Sequence, residues 1–310
     1  MKENIVKIIV SGSSCSEWAL SLAASLEIAG VQAQSHFFCH RELCVKLTQS
    51  LEMKDVFLVQ SFCDTVNDYL VELALLADLV RGQGALKVTA LIPYLAYGRQ
   101  NKPQPAQSTA LEVVVKMLKA VGIDQIVTLD AHGPPFQNLS SDSSLISSPL
   151  VSLSCAPLFA QAFRHQYDSC LQDWVVVAPD QGGQRRASEV AECLNLPWVM
   201  MEKKRFNEGE AEEICQVQQI KGDVQNKNCF IIDDLADTGG TLRAVVKALK
   251  AAGALKVIAG VTHVLDFTKI QDCGLHFLFM TDTFLSVCPV DSWVKVLSCQ
   301  SIFEDFLRKI

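Results

Sequence analysis

The 310-residue sequence lacks the features that mark membrane, secreted and polynucleotide-binding proteins. It has no run of about 18 uninterrupted apolar residues, which a membrane-spanning helix requires. Its start, MKENIVKIIVSGSS, lacks the charged region and the long apolar stretch of a secretory signal. With 27 basic and 34 acidic residues, it also lacks the positive charge that attracts nucleic acid. We therefore expect a cytoplasmic protein without a membrane or nucleic-acid partner. A small nucleotide remains compatible with the net charge of −7, because such a site needs only local donors and cations.

The twelve cysteines include no pair with the CxxC spacing that is typical of zinc and redox sites. Several of them lie within apolar runs, where a thiol behaves as a small hydrophobic side chain. Disulfides are rare in the cytoplasm, which is the compartment expected for this chain. The cysteines are therefore predicted to be reduced and to contribute mostly to packing.

Short apolar runs alternate with segments of helical periodicity along the chain. The predicted strands are 4–10, 55–61, 86–94, 125–130, 174–180, 228–234, 255–265 and 276–281, and the predicted helices include 66–81, 110–121, 183–194 and 241–252. Continuously apolar strands are typical of parallel sheets that are buried on both faces. The pattern predicts an α/β fold of two doubly wound domains with mainly parallel sheets. A polar, serine-rich stretch at 138–148 places the boundary between residues 1–147 and 148–310. Residues 291–310, of mixed strand and helix character, are a candidate to pack back on the first domain.

The sharpest local feature is the string CFIIDDLADTGGT, residues 229–241, in which a buried strand ends in two acids, a turn follows and a helix begins at Thr241. The two glycines expose backbone amides, and the helix N-terminus favours an anion. The two threonines add hydroxyl donors, while Asp233 and Asp234 can accept hydrogen bonds from vicinal hydroxyls. This combination predicts a site for a 5-phosphorylated ribose, and the alternative is an ordinary helix-capping turn. The residues assigned to the sugar phosphate are Asp233, Asp234, Asp237, Thr238, Gly239, Gly240 and Thr241.

This string resembles the fingerprint of type I phosphoribosyltransferases and of ribose-phosphate pyrophosphokinases, also called PRPP synthetases. Residues 175–206 resemble the synthetase pattern of a strand, Pro-Asp-x-Gly-Gly, an arginine-bearing helix and a strand that ends in Lys-x-Arg. The resemblance implies that Asp180 helps to hold Mg²⁺ and the sugar. It also implies that Lys203 and Arg205 are catalytic and stabilise charge on a transferred pyrophosphoryl group, consistent with the electrostatics of phosphoryl transfer.

Two segments of the N-terminal half carry the same resemblance. VTLDAHG, residues 127–133, resembles the metal-site segment of the family and implies that His132 is a metal ligand. LIPYLAYGRQNK, residues 91–102, resembles the segment that contacts ATP and implies that Arg99 and Gln100 bind the nucleotide. The planar guanidinium of an arginine suits both adenine stacking and phosphate pairing.

SHFFCHREL, residues 35–43, is a looser match to a family loop that reaches into the ATP site of a neighbouring subunit. The match implies that Phe38 stacks on adenine and that Glu42 accepts from its exocyclic amine, and the alternative is a solvated loop. A homo-oligomer whose subunits share active sites follows from the resemblance. Another matching stretch, residues 60–73, contains Asn67, Asp68 and Glu72, which we interpret as mainly structural.

The chain departs from the family pattern near the ATP end. Asn101 replaces an aspartate, and the segment KPQPAQSTALEV is shorter than usual and has no second arginine. Phe37 and His40 replace the usual polar residues of the Phe38 loop. Ala131 and Gly133 replace Leu and Ala in the metal-site segment. Loss of a loop cation could cost about 1–3 kcal/mol of transition-state stabilisation.

Matches in the family's order run from about residue 8 to about residue 265, which favours a synthetase over a plain phosphoribosyltransferase. The resemblance implies an enzyme that transfers the pyrophosphoryl group of ATP to the C1 hydroxyl of ribose 5-phosphate, with Mg²⁺ as cofactor, to give PRPP and AMP. The departures leave a second interpretation open, a catalytically weak or regulatory homologue that binds nucleotide or joins active subunits. A phosphoribosyltransferase is the third.

Overall fold

The computed structural model describes residues 5–99, 109–132, 150–207, 213–284 and 291–310. For residues 168–170, 203–207, 213–216 and 218, it describes the backbone alone. One compact unit contains the described residues up to Leu153 together with Phe284 and Gln300–Ile310, and the other contains Ser154–Thr283 and residues 291–299. The predicted junction at 138–148 lies outside the described residues.

The first unit is built on a six-stranded parallel sheet. The strands of this unit, in chain order, are β1 (Lys7–Ser11), β2 (Ala29–Gln32), β3 (Gln34–Phe37), β4 (Leu43–Lys46), β5 (Asp55–Val59), β6 (Lys87–Ile92), β7 (Gln125–Leu129) and β8 (Leu150–Leu153). Its first three helices are α1 (Ser16–Ser25), α2 (Val66–Gly82) and α3 (Ala110–Ala120). The sheet order is β2-β1-β5-β6-β7-β8, and β3 and β4 form a separate antiparallel hairpin. The central strands are buried, as the Ile8-Ile9-Val10 run of β1 illustrates with three fully inaccessible side chains.

The second unit is built on a seven-stranded sheet. Its elements are α4 (Ala156–Tyr167), β9 (Trp174–Ala178), α5 (Gln184–Leu194), β10 (Trp198–Asn207), β11 (Glu213–Lys221), β12 (Asn228–Ala236), α6 (Gly240–Ala251), β13 (Lys256–Val264), β14 (Phe277–Thr281) and β15 (Val294–Leu297). The order is β11-β10-β9-β12-β13-β14-β15, and the only antiparallel pair in the described part of this sheet is β10 with β11. The predicted α/β class with mainly parallel sheets is therefore confirmed.

The last helix, α7 (Gln300–Leu307), packs on α1 in the first unit. The Phe303 ring meets the Trp18 ring edge-on, with 5.5 Å between centroids. The Gln300 side-chain amide donates to the Trp18 carbonyl oxygen at 2.6 Å. Across the described ranges, no helix is both long enough and apolar enough to cross a membrane.

Buried cysteines contribute to both cores. Among the described residues, Cys15, Cys63, Cys155, Cys229, Cys273 and Cys299 are buried, as predicted for thiols that pack like small hydrophobic side chains. Burial raises the pKa of Cys15 to about 11 and the pKa values of Cys63 and Cys229 to about 12. Since burial disfavours the thiolate, these thiols remain protonated and unreactive near neutral pH.

A buried carboxylate organises the carboxyl ends of β1 and β5, where the strand order of the first sheet reverses. Glu72 on α2 is only 2% exposed. Its oxygens accept hydrogen bonds from the Ser13 amide at 3.0 Å, the Ser13 hydroxyl at 2.5 Å, the Gln60 side-chain amide at 2.6 Å and the Ser35 hydroxyl. The Gln60 carbonyl oxygen in turn accepts from the Ser14 hydroxyl at 2.8 Å. These contacts agree with the structural interpretation of Glu72.

We expect Glu72→Ala to lower the free energy of unfolding by about 3 kcal/mol or more, because several buried donors lose their acceptor together. Chemical denaturation measures the change. Asp68→Ala on the same helix is the matched control. The Asp68 carboxylate pairs with Arg41 at the surface, so its loss should cost less than about 1 kcal/mol. Equal costs for the two variants would contradict the structural role of Glu72.

Candidate functional site

The predicted sugar-phosphate turn lies between β12 and α6 and is open at the surface. Strand β12 pairs with β13 as far as Ala236, and α6 begins at Gly240, so the connecting turn is only residues 237–239. Thr238 is exposed, and Asp237, Gly240 and Thr241 are partly exposed. The first amides of a helix have no intrahelical acceptor, and the helix dipole favours negative charge beside them. The turn therefore has the geometry of an anion site.

Gly239 gives this turn its shape. Its φ is +72°, in the left-handed region that favours glycine. A Cβ at this position would come within 2.8 Å of the Lys269 carbonyl oxygen. Both the backbone angle and the close approach therefore require glycine here.

The two acids near the carboxyl end of β12 are buried, and Asp234 forms an ion pair. Asp234 Oδ1 lies 2.9 Å from Arg186 Nη2, and both side chains are almost inaccessible. Asp233 Oδ1 accepts from the Asp234 amide at 3.0 Å. The sequence assigned both acids to the ribose diol, and the structure gives Asp234 an ion pair within the protein. Asp233 is the more accessible of the two, at 7%.

Arg186 was not singled out from the sequence, although a signal for it was present. Arg186 is followed at intervals of four residues by Val190 and Leu194, and all three lie on the buried face of α5. A charged residue at an apolar position of a helical stripe predicts a buried ion pair or a functional group. Its partner could not be read from local spacing, because Asp234 lies on another strand.

We expect Arg186→Ala to lower the free energy of unfolding by about 3–5 kcal/mol, because Asp234 would be left as an uncompensated buried charge. Urea denaturation measures the loss. Arg185→Ala is the control: its guanidinium pairs with Glu189 at 2.5 Å on the exposed side of the same helix, and we expect a cost below about 1 kcal/mol. A cost for Arg186→Ala no larger than that of the control would show that the buried pair is unimportant.

The Asp180 loop lies beside the turn. The strand order reverses between β9 and β12, and in open α/β sheets ligands bind at such a reversal, beyond the carboxyl ends of the strands. Asp180 follows β9, and its Oδ1 accepts from the Gly183 amide at 2.9 Å just before α5 begins. The structure therefore brings the Asp180 loop and the 237–241 turn to the same edge of the second sheet.

The two predicted catalytic residues lie on β10, which flanks β9 on the side opposite to β12. Lys203 and Arg205 belong to β10, which pairs with β9 through Trp198–Met200. The β10–β11 register shifts between Glu202 and Lys203, and such irregularities are frequent next to active sites. The side chains of Lys203 and Arg205 lie outside what the structure describes, so their role remains a prediction.

In the first unit, Arg99 and His132 lie on neighbouring loops at the carboxyl edge of the sheet, after the adjacent strands β6 and β7. The loops touch at Gly98, where a Cβ would come within 3.3 Å of the His132 carbonyl oxygen. Arg99 is exposed and His132 is partly exposed. Gln100 lies outside the described residues.

The β3–β4 hairpin presents the remaining two predicted ATP residues. Phe38 is 55% exposed and Glu42 is exposed, and the Phe38 amide donates to the Glu42 carbonyl oxygen at 2.7 Å. The base of the loop is held by Arg41, which pairs with Asp68 and lies 4.9 Å above the centre of the Phe37 ring. Phe37, one of the departures from the family pattern, thus contacts Arg41 and remains 49% exposed.

The predicted metal ligands are placed in separate units, His132 in the first and Asp180 in the second. Among the described side chains, no group of three or more His, Cys, Asp or Glu residues is arranged to hold a metal ion.

The parallel sheet and the anion turn at its strand-order reversal define the class, a protein with the phosphoribosyltransferase type of α/β fold. A family model described as the phosphoribosyl transferase domain matches residues 143–272, and one described as the N-terminal domain of ribose phosphate pyrophosphokinase matches residues 7–122. The ribose-phosphate pyrophosphokinase of Campylobacter jejuni is 32% identical over 307 residues, covering 97% of this chain and 95% of the relative. Ribose-phosphate pyrophosphokinase 1 of Lactococcus lactis is 35% identical over 282 residues, covering 89% and 83% of the two chains.

The crystal structure of phosphoribosylpyrophosphate synthetase from Mycobacterium smegmatis matches the fold with a TM-score of 0.83. The match covers 98% of each chain at 26% identity. The chain belongs to the ribose-phosphate pyrophosphokinase family.

Proposed function

We propose that this chain is a ribose-phosphate diphosphokinase, which forms PRPP and AMP from ATP and ribose 5-phosphate. The observation that carries the proposal is the surface turn at residues 237–241, next to Asp233 and Asp234 near the carboxyl end of β12. In this proposal, the turn amides and the hydroxyls of Thr238 and Thr241 bind the 5-phosphate. Asp233 accepts hydrogen bonds from the sugar hydroxyls, and Asp234, paired with Arg186, keeps the end of β12 in place.

The reaction is a direct displacement at phosphorus. The C1 hydroxyl oxygen of the sugar attacks the β-phosphorus of ATP and forms a new O–P bond, while the hydroxyl proton passes to solvent. The bond from the β-phosphorus to the α,β-bridging oxygen breaks, and AMP leaves with that oxygen. Phosphoryl transfer depends mainly on positioning and on neutralising the phosphate oxygens. Lys203 and Arg205 supply that positive charge from β10, the strand beside β9.

The donor set at the proposed metal position suits Mg²⁺ bound with a nucleotide. Mg²⁺ commonly takes one or two protein ligands and completes its shell with water and substrate phosphates. The carboxylate of Asp180 in the second unit and a ring nitrogen of His132 in the first unit are each suited to be one such protein ligand. When bound, the ion would reduce the negative charge of the ATP phosphates.

ATP binding in this proposal uses two copies of the chain. Arg99 and Gln100 hold the nucleotide from one subunit, while Phe38 from a second subunit stacks on adenine and Glu42 accepts from its amine. The exposure of Phe38 and Glu42 at the tip of a hairpin leaves both side chains accessible to a second subunit, as this role requires. The proposal therefore requires a homo-oligomer.

A second candidate function is a regulatory homologue that binds nucleotide or joins active subunits. The observation that favours it is the loss of family cations at the ATP end, where Phe37 stands in place of an arginine and the segment after Asn101 has no second arginine. Such a protein would still bind the sugar phosphate at residues 237–241 but would not catalyse the reaction.

Product analysis distinguishes these functions. With ATP, Mg²⁺ and ribose 5-phosphate, we expect AMP and PRPP in equal amounts. Release of ADP would exclude pyrophosphoryl transfer. Binding of both substrates without turnover would favour the regulatory homologue, and consumption of PRPP that depends on a nucleobase would favour a phosphoribosyltransferase.

A further inference from the structure

The Arg243 side chain holds the turn at residues 237–241 through hydrogen bonds to backbone carbonyl groups. Arg243 lies in the first turn of α6, and its guanidinium donates from Nη2 to the Thr238 carbonyl oxygen at 2.6 Å and from Nη1 to the Lys269 carbonyl oxygen at 2.8 Å. Its own amide donates to the Gly239 carbonyl oxygen at 2.9 Å. Arg243 therefore ties the turn to the segment that follows β13.

The second carbonyl of the turn is held on the same side. Cys273 Sγ lies 3.6 Å from the Gly239 carbonyl oxygen and 4.0 Å from Arg243 Nη1. Burial raises the pKa of Cys273, so the thiol stays protonated and is able to donate. The carbonyl oxygens of Thr238 and Gly239 thus both accept hydrogen bonds from the group formed by Arg243 and Cys273.

These contacts determine where the turn amides point. In a planar trans peptide, the C=O and N–H bonds of one peptide unit point in opposite directions. The Thr238 carbonyl shares its peptide unit with the Gly239 amide, and the Gly239 carbonyl shares its unit with the Gly240 amide. Donors that hold the two carbonyls toward Arg243 therefore direct the two amides away from it, to the opposite side of the turn. On that side, the Gly240 amide donates a long hydrogen bond to the Thr238 hydroxyl oxygen at 3.4 Å, which a bound phosphate oxygen would replace.

We propose that Arg243 is a positioning residue for substrate binding, which orients the Gly239 and Gly240 amides toward the 5-phosphate of the sugar. The inference rests on the proposed function, which assigns a sugar phosphate to this turn. Arg243 acts through the backbone, because its guanidinium bridges two carbonyl groups. A lysine would keep the charge but has no planar fork with which to make both contacts.

The test compares ribose 5-phosphate affinity by calorimetry, and the KM values for both substrates, in the full-length protein and three variants. We expect Arg243→Ala to weaken ribose 5-phosphate binding and to raise its KM about tenfold or more, with kcat and the KM for ATP changed by less than about twofold, the signature of lost uniform binding. Arg243→Lys should lose most of the same affinity, because charge alone does not orient the amides. Lys247→Ala, which removes an exposed charge one turn further along α6, should bind as the unmodified chain does.

No ribose 5-phosphate binding by the unmodified chain would overturn the proposed function and this inference with it. Binding by the unmodified chain with equal affinity in Arg243→Ala would overturn the inference alone. Unchanged affinity in Arg243→Lys, or an equal loss in Lys247→Ala, would show that Arg243 contributes only charge. If Arg243→Ala fails to fold, Arg243→Lys decides between orientation and charge.

Discussion

Lys203→Ala is expected to lower kcat for PRPP formation by about 10²–10³-fold, the usual cost of removing one preorganised charge from a phosphoryl-transfer site. The reason is that the Lys203 ammonium is proposed to stabilise negative charge that develops only in the transition state. Binding of ribose 5-phosphate, measured by calorimetry, should change by less than about threefold, since the ground-state sugar is held by the turn at 237–241.

Lys204→Ala, the next residue of β10, is the control, because no role in the reaction is assigned to it. Its kcat should stay within about twofold of the unmodified enzyme. An equal loss of sugar binding and turnover in Lys203→Ala would place this side chain in the sugar site and contradict its catalytic role.

Gly239→Ala is expected to weaken ribose 5-phosphate binding by about 100-fold while leaving ATP binding unchanged. A residue with a Cβ loses about 1–2 kcal/mol in the left-handed conformation that position 239 adopts. The new methyl group would also lie 2.8 Å from the Lys269 carbonyl oxygen and 3.0 Å from Arg243 Nη1. The turn must therefore shift, and its amides would no longer converge on the phosphate.

Gly253→Ala separates the loss of binding from a general loss of stability. Gly253 ends the α6 segment with φ +87°, so the backbone cost is similar, but the nearest atom to an added Cβ is 3.4 Å away on Gln225. We expect this variant to be about 1 kcal/mol less stable and to bind ribose 5-phosphate normally. A similar loss of affinity in both glycine variants would mean that the conformation of the 237–239 turn is not what recognises the sugar phosphate.

The central strands could be predicted from the sequence because they are long, apolar and buried on both faces. All eight predicted strands and the four named helices correspond to elements of the structure. Strand β2 was missed, since AGVQ is short and mostly exposed and carries no periodic signal. The β3–β4 hairpin was missed for the same reason, because Gln34–Phe37 is largely exposed.

The turn was predictable because its features are local: two acids, two glycines and a helix start within thirteen residues. The exact residues at which β12 ends and α6 begins were harder to predict. Pairing with β13 extends β12 to Ala236, beyond the predicted end at Asp234, and α6 begins at Gly240 instead of Thr241.

The side-chain contacts that hold the turn and the end of β12 in place could not be predicted, because they join segments that are distant in the sequence. Arg186 reaches Asp234 from α5, and Arg243 reaches the Lys269 carbonyl across the segment after β13. Neither pairing follows from sequence spacing. The roles of Lys203, Arg205 and the ATP residues come from the family resemblance and remain predictions.

Hydrogen exchange of the full-length protein tests the position of the sugar phosphate most directly. With saturating ribose 5-phosphate, amide exchange in a peptide that covers residues 237–241 should slow by about tenfold or more, because bound phosphate accepts from those amides. Ribose without the phosphate should leave that peptide unchanged. If ribose 5-phosphate binds and protects other segments while exchange at 237–241 is unaltered, the phosphate is held elsewhere and the account given for this turn is wrong.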